Sequence, residues 1–101
     1  MQTIPPQGQV TLVFTDIQGS TSLWEHIPQT MRISLDVHDK ILRDAIQQHG
    51  GYEVKTEGDA FMVAFACPQK ALQWCIDVQL LLQKQSWPET LLRRPEASID
   101  R

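Results

Sequence analysis

Asp16 and Asp59 are the side chains in this sequence best placed to do chemistry. The first closes the apolar run Val10-Thr11-Leu12-Val13-Phe14-Thr15, and the second follows Gly58 in Lys55-Thr56-Glu57-Gly58-Asp59-Ala60. Each puts a carboxylate where a strand should run out, close to a glycine that frees the backbone to turn. If the two strands are sheet neighbours, both carboxylates reach one edge. Such oxygen ligands suit a hard divalent cation. Beside Asp16, Gly19, Ser20 and Thr21 stand at the mouth of a predicted helix, where unpaired amides and the helix dipole favour a phosphate. A glycine loop before a helix is by itself an ordinary turn. Asp59 on the same edge is what turns the reading toward a metal-bound triphosphate.

The elements that must position these groups are legible in the periodicity. Residues 9–17 predict a buried strand, entered from Pro5-Pro6-Gln7-Gly8. Gln18-Gly19 breaks it, and Ser22 with Glu25 has the spacing of a capping box for a short helix. After Pro28, the recurrence of Met31, Leu35, Ile41, Leu42, Ala45 and Ile46 predicts a second helix, ended by Gly50-Gly51. Tyr52, Val54 and Thr56 alternate with Glu53 and Lys55 as in a strand with one buried face. Glu57-Gly58-Asp59 turns the chain into an apolar strand, Ala60 to Phe65. Pro68 opens a helix striped by Ala71, Leu72, Cys75, Val78, Leu81 and Leu82, and Trp87-Pro88 ends it.

The order strand, helices, strand, strand, helix predicts an α+β, ferredoxin-like split βαβ sheet with helices packed on it. Right-handed crossover makes the first two strands parallel, with the third antiparallel between them. That arrangement converges Asp16 and Asp59. It also leaves the first strand without a neighbour on its other side, an exposed edge that a fourth strand would cover. The organisation read from the sequence is a lead segment over 1–8, a domain portion over 9–88 and an irregular tail or truncated end over 89–101.

A chain of 101 residues, 42% hydrophobic, can form one small core. Net charge −3 and a pI near 5.5 argue against a nucleic-acid binder that depends on clustered Lys and Arg. The start lacks the pattern of a secretory signal, and the longest largely apolar run, residues 60 to 67, is far short of the ~20 residues that span a bilayer. Cys67 and Cys75 fit neither a metal-ligand spacing nor a disulfide frame and read as core or half-buried thiols of an intracellular protein. His26, His38 and His49 do not share a face at ligand spacing and read as surface or helix-packing residues. Trp24, Trp74 and Trp87 read as core and cap residues rather than base-stacking platforms.

Phe14-Thr15-Asp16-Ile17 with Gly19-Ser20-Thr21, followed by Lys55-Thr56-Glu57-Gly58-Asp59-Ala60-Phe61-Met62, resembles the class III nucleotidyl cyclases, the adenylate and guanylate cyclase catalytic domain. The likeness runs from about Val10 to Trp87. It implies that Asp16 and Asp59 bind two Mg²⁺ or Mn²⁺ ions with the backbone carbonyl of Ile17, and that the amides of Gly19, Ser20 and Thr21 hold a triphosphate. Lys55 falls where family members choose their base. Adenine presents an acceptor at N1 that an ammonium satisfies, whereas guanine presents a donor that needs a carboxylate, so Lys55 points to ATP. Glu57 departs from the apolar residue more usual in its place, and with Gly50-Gly51-Tyr52-Glu53-Val54-Lys55 and Trp87-Pro88 it resembles the fungal-type enzymes, with trypanosomatid ones next.

The implied reaction is attack of the ribose 3'-hydroxyl on the α-phosphorus of ATP, closing cyclic AMP and releasing pyrophosphate with the help of two metals. The resemblance implies a homodimer, in which metal residues of one copy meet the base-reading lysine of the other. It also implies a cytoplasmic protein, peripheral to a membrane and answering to a small GTPase through regions not in this chain. The family's later fourth strand, ribose-orienting asparagine and transition-state arginine find no match after Trp87, so the expectation is a fragment with little or no activity. Other readings stay open: a guanylate or diguanylate-type cyclase, the latter sharing Gly58-Asp59, or a non-catalytic regulatory or dimerisation fragment of the same fold. A phospho-receiver also gathers acids at strand ends but needs more alternating helices.

Overall fold

Three strands and three main helices account for most of the chain in the computed structural model, which describes residues 5–97. In chain order they are β1 (Thr11–Thr15), α1 (Ser20–His26), α2 (Pro28–Gln48), β2 (Tyr52–Glu57), β3 (Ala60–Phe65) and α3 (Pro68–Lys84). A short α4 (Glu89–Leu92) and one 3-10 turn (Pro95–Ala97) follow. The sheet order is β1-β3-β2, with β3 antiparallel to both neighbours. This is the split arrangement expected from the crossover rule.

Pairing in β1 runs from Thr11↔Phe65 to Thr15↔Phe61. The strand is shorter than the expected 9–17 because the Ile17 amide leaves the ladder for side-chain carboxylates. It is also not buried on both faces. Val13 and Thr15 turn toward the helices, whereas Phe14 is 69% exposed on the open face. On the helix side, Phe61, Val63 and Phe65 of β3 meet Leu42, Ala45 and Ile46 of α2 and Ala71, Trp74 and Val78 of α3. Burying each large member of this cluster is worth roughly 1.5–3 kcal/mol, so the core lies between the sheet and the α2–α3 pair.

The alternation expected along β2 is broken by a bulge. Glu53 pairs with Val63 and Lys55 with Met62, leaving Val54 as the extra residue. Glu53 and Thr56 therefore share the helix side, while Val54 lies exposed next to Lys55. Thr56 donates from its hydroxyl to the Glu53 carboxylate. Arg43 of α2 donates to the same carboxylate from Nε and Nη2, and its guanidinium stacks 5.2 Å from the centre of the Phe61 ring. A charged residue thus occupies the inward position, satisfied by α2.

Gly51, just before β2, permits the close approach of the Phe65 ring of β3. A Cβ there would stand 2.7 Å from Cε2 of Phe65, a ring with no exposed surface. The hairpin itself closes on Gly58 and Asp59, with Gly58 at φ 57°, the left-handed region that glycine enters without strain.

Two local expectations are corrected. Ser22 and Glu25 form no capping box: Gly19, at φ 71°, starts α1 early enough for Ser20 to be helical, and Ser22 sits within the first turn without capping it. The tail over 89–101 is not irregular throughout, since Leu91 and Leu92 of α4 are half-buried and Glu96 of the 3-10 turn docks on α1; residues 98–101 lie outside the described residues.

Candidate active site at the Asp16–Asp59 edge

The backbone amide of Ile17 is the meeting point of the two carboxylates. It donates to Asp16 Oδ1 at 2.9 Å and to Asp59 Oδ2 at 3.0 Å. The two oxygens are therefore no farther apart than the sum of those distances. Asp16 arrives from the end of β1 and Asp59 from the β2–β3 turn, because β3 runs antiparallel beside β1 and brings its start to β1's end. Asp16 is exposed and Asp59 half-buried. Two hard carboxylates converging at an accessible edge fit a divalent cation, with one amide offsetting part of their mutual repulsion. Among the described residues no three His, Cys, Asp or Glu side chains gather into a metal-ligand group, so further ligands would come from backbone oxygens and water. The Ile17 carbonyl accepts a long bond, 3.3 Å, from the Ser20 amide.

The Gly19–Thr21 loop follows at once, and the structure qualifies the expected phosphate cradle. Ser20's amide is already directed at Ile17, and the Gly19 carbonyl accepts from Leu23. Glu96 packs over the loop: a Cβ on Gly19 would lie 3.1 Å from Glu96 Cβ, and Ser22 Oγ donates to Glu96 Oε2 at 2.5 Å. Arg94 grips the same carboxylate from Nε and Nη2 at 3.1 and 2.9 Å. Those bonds, Arg94's first, hold the Glu96 carboxyl down at about 2. Nothing in the tail's sequence marked Glu96. Its role depends on a contact between residues 74 positions apart.

Lys55 is not brought to this edge. It pairs with Met62, so β3 separates it from β1, and its ammonium meets Glu57 Oε1 at 2.5 Å, both side chains exposed. That pairing raises the Lys55 pKa and lowers that of Glu57, chiefly by the hydrogen bond. Leu12, Phe14 and Val54 are exposed around it on the open face of the sheet.

The profile of the adenylate and guanylate cyclase catalytic domain matches residues 3–95. The chain belongs to that family. Among curated cyclases, the adenylate cyclase of Lachancea kluyveri is 55% identical over 87 residues, which is 86% of this chain and 5% of that protein. The Schizosaccharomyces pombe adenylate cyclase is 50% identical over 95 residues, 94% of this chain and 6% of that protein. A solved structure of Trypanosoma brucei adenylate cyclase in its monomeric state superposes with a TM-score of 0.79 at 40% identity, covering 81% of this chain and 35% of that one. The cyclase portion seen here is thus about a twentieth of the fungal relatives' length and about a third of the trypanosomal chain. Family membership makes the fold that of an adenylate and guanylate cyclase catalytic domain. Among the described residues no helix is long and apolar enough to cross a membrane.

The histidines of this cyclase fold do not approach the edge as ligands. His26 Nδ1 lies 2.8 Å from the Ser22 carbonyl, and His49 Nε2 lies 3.2 Å from Asp77 Oδ2. His38 is 7% exposed, packed edge-on against Phe61 with Nδ1 on Asp39. Trp74 is wholly buried and donates to the Leu42 carbonyl, and half-buried Trp87 donates to that of Leu82. Cys67 and Cys75 are unpaired and half-buried; burial pushes the Cys75 thiol up.

Proposed function

We propose that this chain is the N-terminal part of an adenylate cyclase centre converting ATP to 3',5'-cyclic AMP and pyrophosphate. The observation that carries the reading is the convergence of Asp16 and Asp59 on the Ile17 amide. Asp16, Asp59 and the Ile17 carbonyl would hold two divalent cations, Mg²⁺ or Mn²⁺. Those ions, when bound, supply acidification of the ribose 3'-hydroxyl and charge neutralisation at the triphosphate. The chain's own contribution is placement: two short-tethered carboxylates fixed by a shared donor, and beside them a glycine-led turn whose amides at Gly19 and Thr21 would hold the triphosphate. Ser20's amide takes part only by giving up its bond to Ile17.

Lys55 acts on this reading across a homodimer. It stands on the open sheet face, a strand away from its own Asp16, among exposed Leu12, Phe14 and Val54 that a second copy would cover. Its ammonium then donates to adenine N1 at the partner's site. Regulation by a small GTPase and peripheral membrane attachment belong, on the same reading, to other parts of such a protein.

The test uses this segment extended to a full catalytic domain, supplied with ATP and Mg²⁺ or Mn²⁺, with cyclic AMP as the readout. Asp16→Asn and Asp59→Asn should each lower kcat at least ~10²-fold while the circular dichroism and melting midpoint stay put, the scale of losing one preorganised electrostatic contact. Near-normal turnover in either variant sinks the proposal. The 101-residue chain alone should make little or no cyclic AMP.

A second reading is favoured by Glu57. Its carboxylate stands against the Lys55 ammonium at 2.5 Å and offers an acceptor for guanine N1–H. A preference for GTP in the extended domain, lost in Glu57→Ala, would select it.

A further inference from the structure

A cavity of about 430 Å³ opens behind the catalytic edge, on the helix side of the sheet, between α1, α2, the end of α3 and α4. Its apolar walls include Leu23, Met31, Leu82, Trp87 and Leu92, and one end is formed by Asp16, Ile17 and Gln18. Gly19, Ser20, Thr21, Lys55 and Asp59 are not among its lining residues. It is therefore separate from the groups assigned to triphosphate and base.

Two polar groups of α2 are set into this apolar wall one turn apart. Ser34 is 4% exposed, and its hydroxyl has no hydrogen-bond partner among the described residues. A helical serine ordinarily bonds back to a carbonyl of the preceding turn, so a buried one without such a bond leaves a donor and an acceptor unsatisfied at the cavity wall. His38, also lining the cavity, holds the Asp39 carboxylate at Nδ1, 2.9 Å away. A carboxylate accepts only, which puts a proton on Nδ1, and in that tautomer Nε2 is the ring's acceptor. No Lys or Arg lines the cavity, and the carboxylate of Glu96 at its rim is already satisfied by Arg94 and Ser22. An anion finds no partner there, and the Asp16 carboxylate at its end belongs to the metal edge described above.

We propose that this cavity is a binding site for a small uncharged molecule with an apolar, ring-sized body and one hydroxyl, the hydroxyl shared between Ser34 and His38. The volume falls in the range of small-molecule pockets, and apolar walls beside polar groups that fix an orientation are what such ligands require. The site goes beyond the cyclase reading and does not depend on it. Because Asp16 and Ile17 form one wall, an occupant presses on the segment that carries the first carboxylate.

The probes are 2-naphthol and naphthalene, which share a body and differ by one hydroxyl, titrated into the 101-residue chain without nucleotide or metal. Binding is followed by ¹H–¹⁵N spectra, with the Trp87 indole and the Ser34 and Leu92 amides as reporters. The expected result is saturable, one-to-one binding of 2-naphthol at these reporters. Ser34→Ala should weaken 2-naphthol roughly tenfold and leave naphthalene unchanged, the signature of one lost hydrogen bond. Leu92→Trp, which fills the space, should abolish both. Absence of saturable shifts, equal loss of both probes in Ser34→Ala, or undiminished binding in Leu92→Trp would overturn the proposal. The Ser34→Ala comparison stands even if the Leu92 variant does not fold.

Discussion

Arg43 and Glu53 are locked together by two hydrogen bonds, 2.9 Å from Nε and 3.1 Å from Nη2, across the seam between α2 and β2. The pair fastens the strand that leads into the Asp59 turn onto the longest helix. Glu53 faces inward with little solvent contact, whereas the Arg43 side chain is about half exposed. Solvent screening therefore discounts the charge term, and the bidentate geometry carries most of the value. Arg43→Met should cost about 1–2 kcal/mol, read as a lowered urea midpoint at unchanged m-value. An unchanged midpoint would show that the clamp contributes nothing net.

Acid sensitivity follows from the same carboxylate. The Arg43 bonds, ahead of those from Thr56, hold Glu53 below the ordinary 4.5, and Glu96 is held at about 2. Both folded values are depressed, so both groups stabilise the fold above the unfolded pKa and lose that contribution as pH falls from about 4.5 toward the folded values. Urea midpoints measured from pH 7 to pH 3 should fall most steeply below about 4.5. In Glu53→Gln and Glu96→Gln that acid limb should be shallower than in the parent chain.

Gly51→Ala should destabilise by roughly 1–3 kcal/mol, because the new methyl is driven into the buried Phe65 ring at 2.7 Å and the neighbours are core side chains with no room to yield. Thermal melting of the variant checks this. A methyl tolerated without loss would mean that the Phe65 ring can shift to admit it.

Base choice is expected to respond to Lys55 without any change in stability, since the residue is exposed and its partner Glu57 is too. In the extended domain Lys55→Glu should lower the ATP:GTP ratio of kcat/KM by at least about tenfold, the scale of one mispaired hydrogen-bonding group. The ratio, measured with both nucleotides in competition, tests Lys55 directly; an unaltered value removes it from base recognition.

Much of this could be read from residue spacing. The 3.6-residue stripes of α2 and α3, the Gly58 turn and right-handed crossover together gave the β1-β3-β2 order, and that order alone brings Asp59 to Asp16. What escaped the sequence was set by contacts distant in the chain. Glu53 looked like an outward residue of an alternating strand, and only the bulge turned it toward Arg43. Ser22 had a cap's spacing, but Gly19's backbone started the helix first. The cavity had a faint signal: Met31, Ser34, His38, Leu42 and Ala45 keep helical three-and-four spacing, so two polar residues sat on the buried stripe in place of Leu35. The docking of Glu96 on α1 had none, because short tail segments lack a period of their own.

The bulge at Val54 also sets how β2 should be compared with other strands. Glu53, Lys55 and Thr56 oppose Val63, Met62 and Phe61 one after another, as they would if Val54 were absent. The strand thus carries one surplus residue whose removal would leave every other cross-strand partner in place, from Tyr52 to the hairpin tip. An alignment of this chain with a bulge-free relative must open its single-residue gap at Val54. Placed one position later, the gap would exchange Lys55 for its neighbour and match Met62's cross-strand partner to the wrong side chain.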